Sequence, residues 1–169
     1  MNVLFAYDGS ESAAAAIAAA VPIVEPSNAD TVVLSVWEPL TVQALRAAKF
    51  GAPPAVPLDV ADVDERSEQQ ALELAERGAQ LAREHGYDAR AISVADEEDI
   101  ADAIIATADK VGADLIVLGA RGLTGVRAFL GSVSNHVLQH ANRPVLVIPS
   151  PAGAHGEAKP GQSESVPTA

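Results

Sequence analysis

The sequence predicts an α/β domain: a doubly wound, Rossmann-like five-stranded parallel sheet in order 3-2-1-4-5, with helices on both faces. Three observations point to it. Five short runs are rich in Val, Leu and Ile with little alternation, as strands buried on both faces are. Helix-like stretches separate them, and strand–helix alternation makes a parallel sheet covered by helices. A glycine-rich segment, GARGLTGVRAFLGS (119–132), follows the fourth run and leads into the last helix. Right-handed crossovers give the double winding. The alternation does not itself fix the strand order, and 3-2-1-4-5 is the one expected.

The first strand is NVLFAY (2–7). The helix SESAAAAIAAAV (10–21) follows, with Ser10 as N-cap and Pro22 as its stop. TVVLSVW (31–37) is the second strand. Residues 39–61 carry Gly51, Pro53, Pro54 and Pro57 and read as a long surface loop. A helix from about Asp62 to His85 has Leu74 and Leu81 seven apart and Gly86 behind it. ARAISV (89–94) is the third strand. In ADEEDIAD (95–102), Asp96 is the expected cap of an acidic helix start whose carboxylates complement the dipole, rather than part of a metal site. That helix carries Ile100, Ile104, Ala108 and Val111 on one face. ADLIVLG (113–119) is the fourth strand, and the last helix, within 132–142, carries Val133, Val137, Leu138 and Ala141 on one face. It ends at Arg143-Pro144, where the residue before proline leaves the α region. PVLVI (144–148) is the fifth strand. The domain is therefore 1–149, and residues 150–169, small and polar without a period, read as a disordered tail.

Composition narrows the function classes. The chain has 169 residues, 49% hydrophobic but only 4% aromatic, so its core is aliphatic. No apolar stretch reaches the roughly 18 residues of a membrane span. The N-terminus lacks a basic leader region, so a cytoplasmic location is expected. The absence of cysteine excludes disulfides and thiolate metal sites. A net charge of −12 argues against nucleic acid and anionic membranes as partners. The charge is uneven: residues 114–148 hold one acid, Asp114, and three arginines, Arg121, Arg127 and Arg143.

In a doubly wound sheet, ligands bind beyond the carboxyl ends of the strands, where the winding reverses. Asp8 follows strand 1 and the glycine-rich segment follows strand 4. The helix starting near Gly131-Ser132 presents unpartnered N–H groups and a positive dipole end, which suit an anion. Glycine lets phosphate oxygens approach the backbone, and Ser132 and Ser134 add hydroxyls. Asp8 has two readings, a ribose ligand or a turn cap, and Arg121 is either a phosphate contact or a solvated loop residue. A P-loop is excluded, because no lysine lies in 111–158. YDGSES after strand 1 is not a dinucleotide fingerprint. His136 and His140 have the i, i+4 spacing of a zinc pair, but no neighbouring acid or cysteine in the sequence completes the set, so they read as helix surface. No catalytic triad or nucleophile elbow is arguable. No catalytic or metal residue is expected.

These residues resemble the universal stress protein family. VLFAYDGSESA (3–13), VVLSVWEP (32–39), ADLIVLGARGLTG (113–125) and LGSVSNHVLQHANRPVLVIP (130–149) carry the likeness. In the ATP-binding branch the motif is Gly, two residues, Gly, nine residues, Gly-Ser/Thr. Gly119, Gly122 and Gly131-Ser132 match it, with eight residues in the second spacer (123–130), which implies a shortened loop. The resemblance implies ATP, with or without Mg2+, as cofactor. Ala6 and Asp8 would line the adenosine side and the Val36 backbone would meet adenine. Leu118 and Gly119 would border the ribose, and Gly122, Gly131, Ser132, Val133 and Ser134 would surround the phosphates. It also implies a homodimer through strand 144–149 and a regulatory role in stress response. Two rival readings are a slow ATPase and a nucleotide-free dimeric interaction module, the latter favoured by the short spacer.

Overall fold

The computed structural model describes residues 1–49, 59–97, 99–120 and 130–149. Its elements are β1 (Asn2–Ala6), α1 (Glu11–Ala20), β2 (Asp30–Trp37), α2 (Leu40–Lys49), α3 (Val60–Glu84), β3 (Asp88–Ala95), α4 (Ile100–Lys110), β4 (Leu115–Ala120), α5 (Ser132–His140) and β5 (Val145–Pro149). The five strands form one parallel sheet in the expected order, β3-β2-β1-β4-β5.

Successive strand residues face opposite sides of the sheet, and the two cores divide accordingly. Val3 and Phe5 of β1, Val33 of β2 and Val117 of β4 pack against α1 and α3, where Ile17, Ala75, Ala79 and Ala82 are buried. Leu4, Val32, Leu34, Ile116 and Leu118 face α4 and α5, meeting Ile104, Ala108 and Val137. Burying one such aliphatic side chain stabilises the fold by about 1.5–3 kcal/mol. Alanine on the helices and β-branched residues on the strands let the layers approach closely despite the scarcity of aromatics.

Ser10 caps α1 as expected, its Oγ accepting from the Ala13 N–H at 3.1 Å. Three other expectations are corrected. The segment 39–61 is not loop throughout: α2 occupies Leu40–Lys49 and α3 begins at Val60. α2 contains no Gly or Pro, and polar contacts rather than buried side chains hold it. The Leu40 N–H donates to Asp64 Oδ1 at 2.7 Å, and Arg46 pairs with Glu38 and Asp96. Second, Asp99, not Asp96, caps α4, accepting from the Ala101 N–H at 2.7 Å. Asp96 is fully buried and takes Arg46 Nη2 on its Oδ2 at 3.0 Å. That hydrogen bond, helped by the charges of Asp96, Glu38 and Asp99, raises the pKa of Arg46 further. Third, Leu138 is exposed at 41%, and Val137 alone on α5 is a fully buried aliphatic. The glycine and prolines expected to make the loop, and the tail 150–169, lie outside the described residues. No helix among the described residues is long and apolar enough to cross a membrane.

Candidate functional site

The winding reverses between β1 and β4, which pair through Val3–Leu115, Leu4–Ile116 and Phe5–Val117. After β1 the chain crosses to β2 on one side, and after β4 to β5 on the other. Their carboxyl ends open into a cleft of about 260 Å3. Ala6, Asp8, Val36, Leu118 and Gly119 line its floor and one wall, and Gly131, Ser132, Val133 and Ser134 line the other. These are the residues expected there. Gly122, and with it Arg121, Gly125 and Arg127, lies outside the described residues.

The chain builds each wall for a local reason. Gly9, at φ +77°, turns the chain out of β1, and Asp8 Oδ1 accepts the Ser10 N–H at 3.0 Å within that turn. The turn-capping reading of Asp8 therefore holds while the residue also borders the cleft. β2 runs on to Trp37, past Leu34, the last partner of β1. The Leu34 carbonyl accepts the Tyr7 N–H at 2.8 Å, and the Trp37 carbonyl accepts the Asp96 N–H on the opposite side. In a parallel ladder the backbone groups of alternate residues point to the same neighbour. The backbone N–H and carbonyl of Val36 thus point to the β1 side, beyond the point where β1 ends.

The opposite wall is the N-terminus of α5. Of the helices that begin on this side of the sheet, α1, α4 and α5 line the cleft. Ser10 caps the first and Asp99 the second with a side-chain oxygen. Gly131 caps the third with no side chain at all. The first-turn N–H groups of α5 therefore face the cleft without the partner that the other two helices supply themselves. Gly131 sits at φ −62° and ψ 160°, which any residue can adopt. Its glycine is not a backbone requirement.

Two serines make contacts that the sequence did not indicate. The Ser134 hydroxyl donates to the Gly119 carbonyl at 3.3 Å and is buried, so it braces α5 against β4. Ser12, which the sequence did not single out, donates to the Ala120 carbonyl at 2.7 Å and fixes the strand end where the glycine-rich segment begins. Gly119 has a packing reason as well: a Cβ there would lie 2.5 Å from the Ser12 backbone carbon and oxygen. Sequence reasoning also missed the apolar wall from α4, Ile100 and Ile104, and Tyr7 and Ser10 at the turn. Ile100 is 38% exposed, a signal visible only once the helix is placed.

Beside the cleft, His136 is not plain helix surface. Its Nε2 lies 3.1 Å from Asp102 Oδ1, and its ring lies 4.2 Å from that of His140. The acid that no sequence neighbour provides comes from α4.

The family model described as the universal stress protein family matches residues 1–149. The chain is 31% identical over 148 residues to the universal stress protein YxiE of Bacillus subtilis, covering 87% of this chain and 97% of that protein. Among solved structures, a universal stress protein family protein from Arabidopsis thaliana with AMP bound superposes with a TM-score of 0.63 at 22% identity, covering 90% of this chain and 93% of that one. A universal stress protein in complex with cAMP superposes with a TM-score of 0.62 at 24% identity, covering 89% and 97%.

Proposed function

The chain belongs to the universal stress protein family, and from that premise we propose that its β1–β4 cleft binds an adenine nucleotide, ATP foremost, in the service of stress regulation in the cytoplasm. The observation that carries this reading is the N-terminus of α5, which opens into the cleft and takes no side-chain cap from Gly131. A phosphate would supply the acceptor that Gly131 lacks, with the helix dipole worth about 0.3–1 kcal/mol and up to about 2 when partly buried. Adenine would take the Val36 backbone N–H and carbonyl, a donor–acceptor pair already aimed past the end of β1. The ribose would sit against Leu118 and Gly119 with Asp8 beside it, and the glycine-rich segment containing Gly122 would complete the phosphate cradle. Ile100, Ile104 and Val133 give the base an apolar wall. The relatives bound to AMP and cAMP support the base and sugar part of this assignment. ATP over AMP is the further step, and it rests on the α5 terminus and on Arg121 and Arg127 nearby in sequence. Mg2+ would enter with the triphosphate.

Calorimetric titration of the nucleotide-free chain tests this reading. Saturable binding is expected, tighter for ATP than for AMP and cAMP. No binding of any of the three at millimolar concentration overturns the proposal and leaves the dimeric interaction module. Equal affinity for all three keeps the base assignment and removes the phosphates from α5. Phosphate release during the same incubation distinguishes a slow ATPase from a binding protein.

A further inference from the structure

We propose a divalent transition-metal site of the zinc class on the outer edge of the cleft, formed by Asp99 and Asp102 of α4 and His136 of α5. One donor atom from each of the three lies within 4.8 Å of the other two, and no other such set converges among the described residues. His136 and Asp102 are 34 residues apart in sequence. The packing of α5 against α4 therefore assembles the group, and it is not a local acidic run.

Donor chemistry selects the ion. Mg2+ and Ca2+ prefer all-oxygen shells, whereas an imidazole beside carboxylates suits Zn2+, Co2+ or Ni2+. Geometry agrees. Two donors each about 2.0–2.1 Å from a tetrahedral zinc lie about 3.3–3.4 Å apart. His136 Nε2 and Asp102 Oδ1 already stand at 3.1 Å. Drawing in the third donor, from at most 4.8 Å, needs a shift of about 1.4 Å or less. The aspartate side chains can supply it by rotation, since Asp102 is 55% exposed. Asp99 takes the Ala101 N–H on Oδ1 and keeps a second carboxylate oxygen. Two carboxylates neutralise the ion, a water takes the fourth position, and the net charge of −12 favours a cation. The site would clip together the two helices that form the cleft's outer wall. It does not depend on nucleotide binding.

The test uses the full chain without a tag, stripped by chelator and free of nucleotide. ZnCl2 is titrated by calorimetry, and CoCl2 by its visible absorption, at about pH 7.5. A single ion should bind with a Kd below about 100 µM. His136→Ala and Asp102→Asn should each weaken it about tenfold or more, while His85→Ala and His155→Ala, the histidines outside α5, leave it unchanged. Absence of saturable zinc binding overturns the proposal and leaves His136–Asp102 as an ordinary surface ion pair. Full binding in His136→Ala, or equal losses in the His85 and His155 variants, overturns it too.

Discussion

Gly119→Ala puts two explanations of one glycine in direct competition. The family motif assigns Gly119 to the nucleotide, as a residue bordering the ribose. The packing assigns it to α1: a Cβ at 119 would meet the Ser12 backbone carbon and oxygen and its Oγ, all at 2.5 Å. These are mostly backbone atoms, so no side chain can swing aside. α1 must move by about 1 Å to restore ordinary van der Waals contact. Overpacking of a well-packed core costs about 1–3 kcal/mol, and a backbone obstacle places this case at the upper end. The same displacement strains the Ser12–Ala120 hydrogen bond, now 2.7 Å and buried, adding about 1 kcal/mol. The total is about 3–4 kcal/mol, or a Tm lower by roughly 6–16 °C at about 2–4 °C per kcal/mol for a domain of this size. Urea unfolding followed by the single tryptophan, Trp37, measures it. A loss below about 1 kcal/mol accompanied by a sharp loss of ATP affinity refutes the packing argument and returns Gly119 to the ligand.

Asp8→Ala should weaken ATP about tenfold or more, as loss of a charged hydrogen bond to ribose would, and leave tripolyphosphate nearly unaffected in competition calorimetry. Equal losses for both ligands would confine Asp8 to its turn with Ser10. Gly131→Asp should give α5 its own N-cap, keep or slightly raise stability, and exclude phosphate by occupying its donors and by charge; ATP affinity equal to the parent's would sink the α5 assignment. Arg46→Ala leaves the buried Asp96 carboxylate without its cation. Removing one partner of a buried pair costs about 3–5 kcal/mol, but Arg46 is 37% exposed, so about 1–2 kcal/mol is expected after solvent screening. Hydrogen exchange across residues 40–49 should quicken at the same time, and unchanged exchange would mean α2 is held by other contacts. Val147→Lys on the edge strand β5 should move the chain towards monomer in light-scattering chromatography; a parent that is already monomeric at tens of micromolar would remove the β5 homodimer.

β1, β4 and β5 were legible because each is nearly all apolar, and β2 and β3 because only scattered polar residues, such as Ser35, Arg90 and Ser93, interrupt their aliphatic runs. The cleft was placed from the expected order 3-2-1-4-5, which the pattern itself did not fix, since the reversal between strands 1 and 4 is a property of that order. α2 was not legible. Its ten residues are amphipathic, but none of its side chains is buried, and the prolines that follow it dominated the reading of the segment. Asp96 was misread for a related reason. Asp96, Glu97 and Asp99 all offer a carboxylate near the start of α4, and the choice between cap and core depends on Arg46, which lies 50 residues away. The His136–Asp102 contact depends in the same way on α5 lying against α4. At Ser134 the contact with the Gly119 carbonyl was not legible, because a hydroxyl near a helix start serves a phosphate or a strand carbonyl equally well until the strand is placed.

Within the parallel topology the start of α5 is unlike those of the other helices lining the cleft. In a doubly wound sheet every crossover helix runs back against its strands, so α1, α3, α4 and α5 all point their positive ends at the carboxyl edge, and of these α1, α4 and α5 line the cleft. Any of the three could in principle draw an anion. Ser10 closes α1 and Asp99 closes α4, the latter with a negative charge that repels phosphate. α5 alone begins on a residue without a side chain. The cleft then follows from the unequal helices that flank it. On one face α3, 25 residues long, reaches the turn after β1: Leu74 packs over Gly9, where a Cβ would stand 2.9 Å from its Cδ1. On the other face α4 and α5, of 11 and 9 residues, begin at the strand ends without crossing over them. Among the described residues nothing covers the ends of β1 and β4 on the α4–α5 side, where Ile100, Ile104 and Val133 supply an apolar wall and α5 presents its N-terminus. On the proposed reading, specificity for a flat base joined to an anion would come from that pairing of one apolar wall with one helix N-terminus.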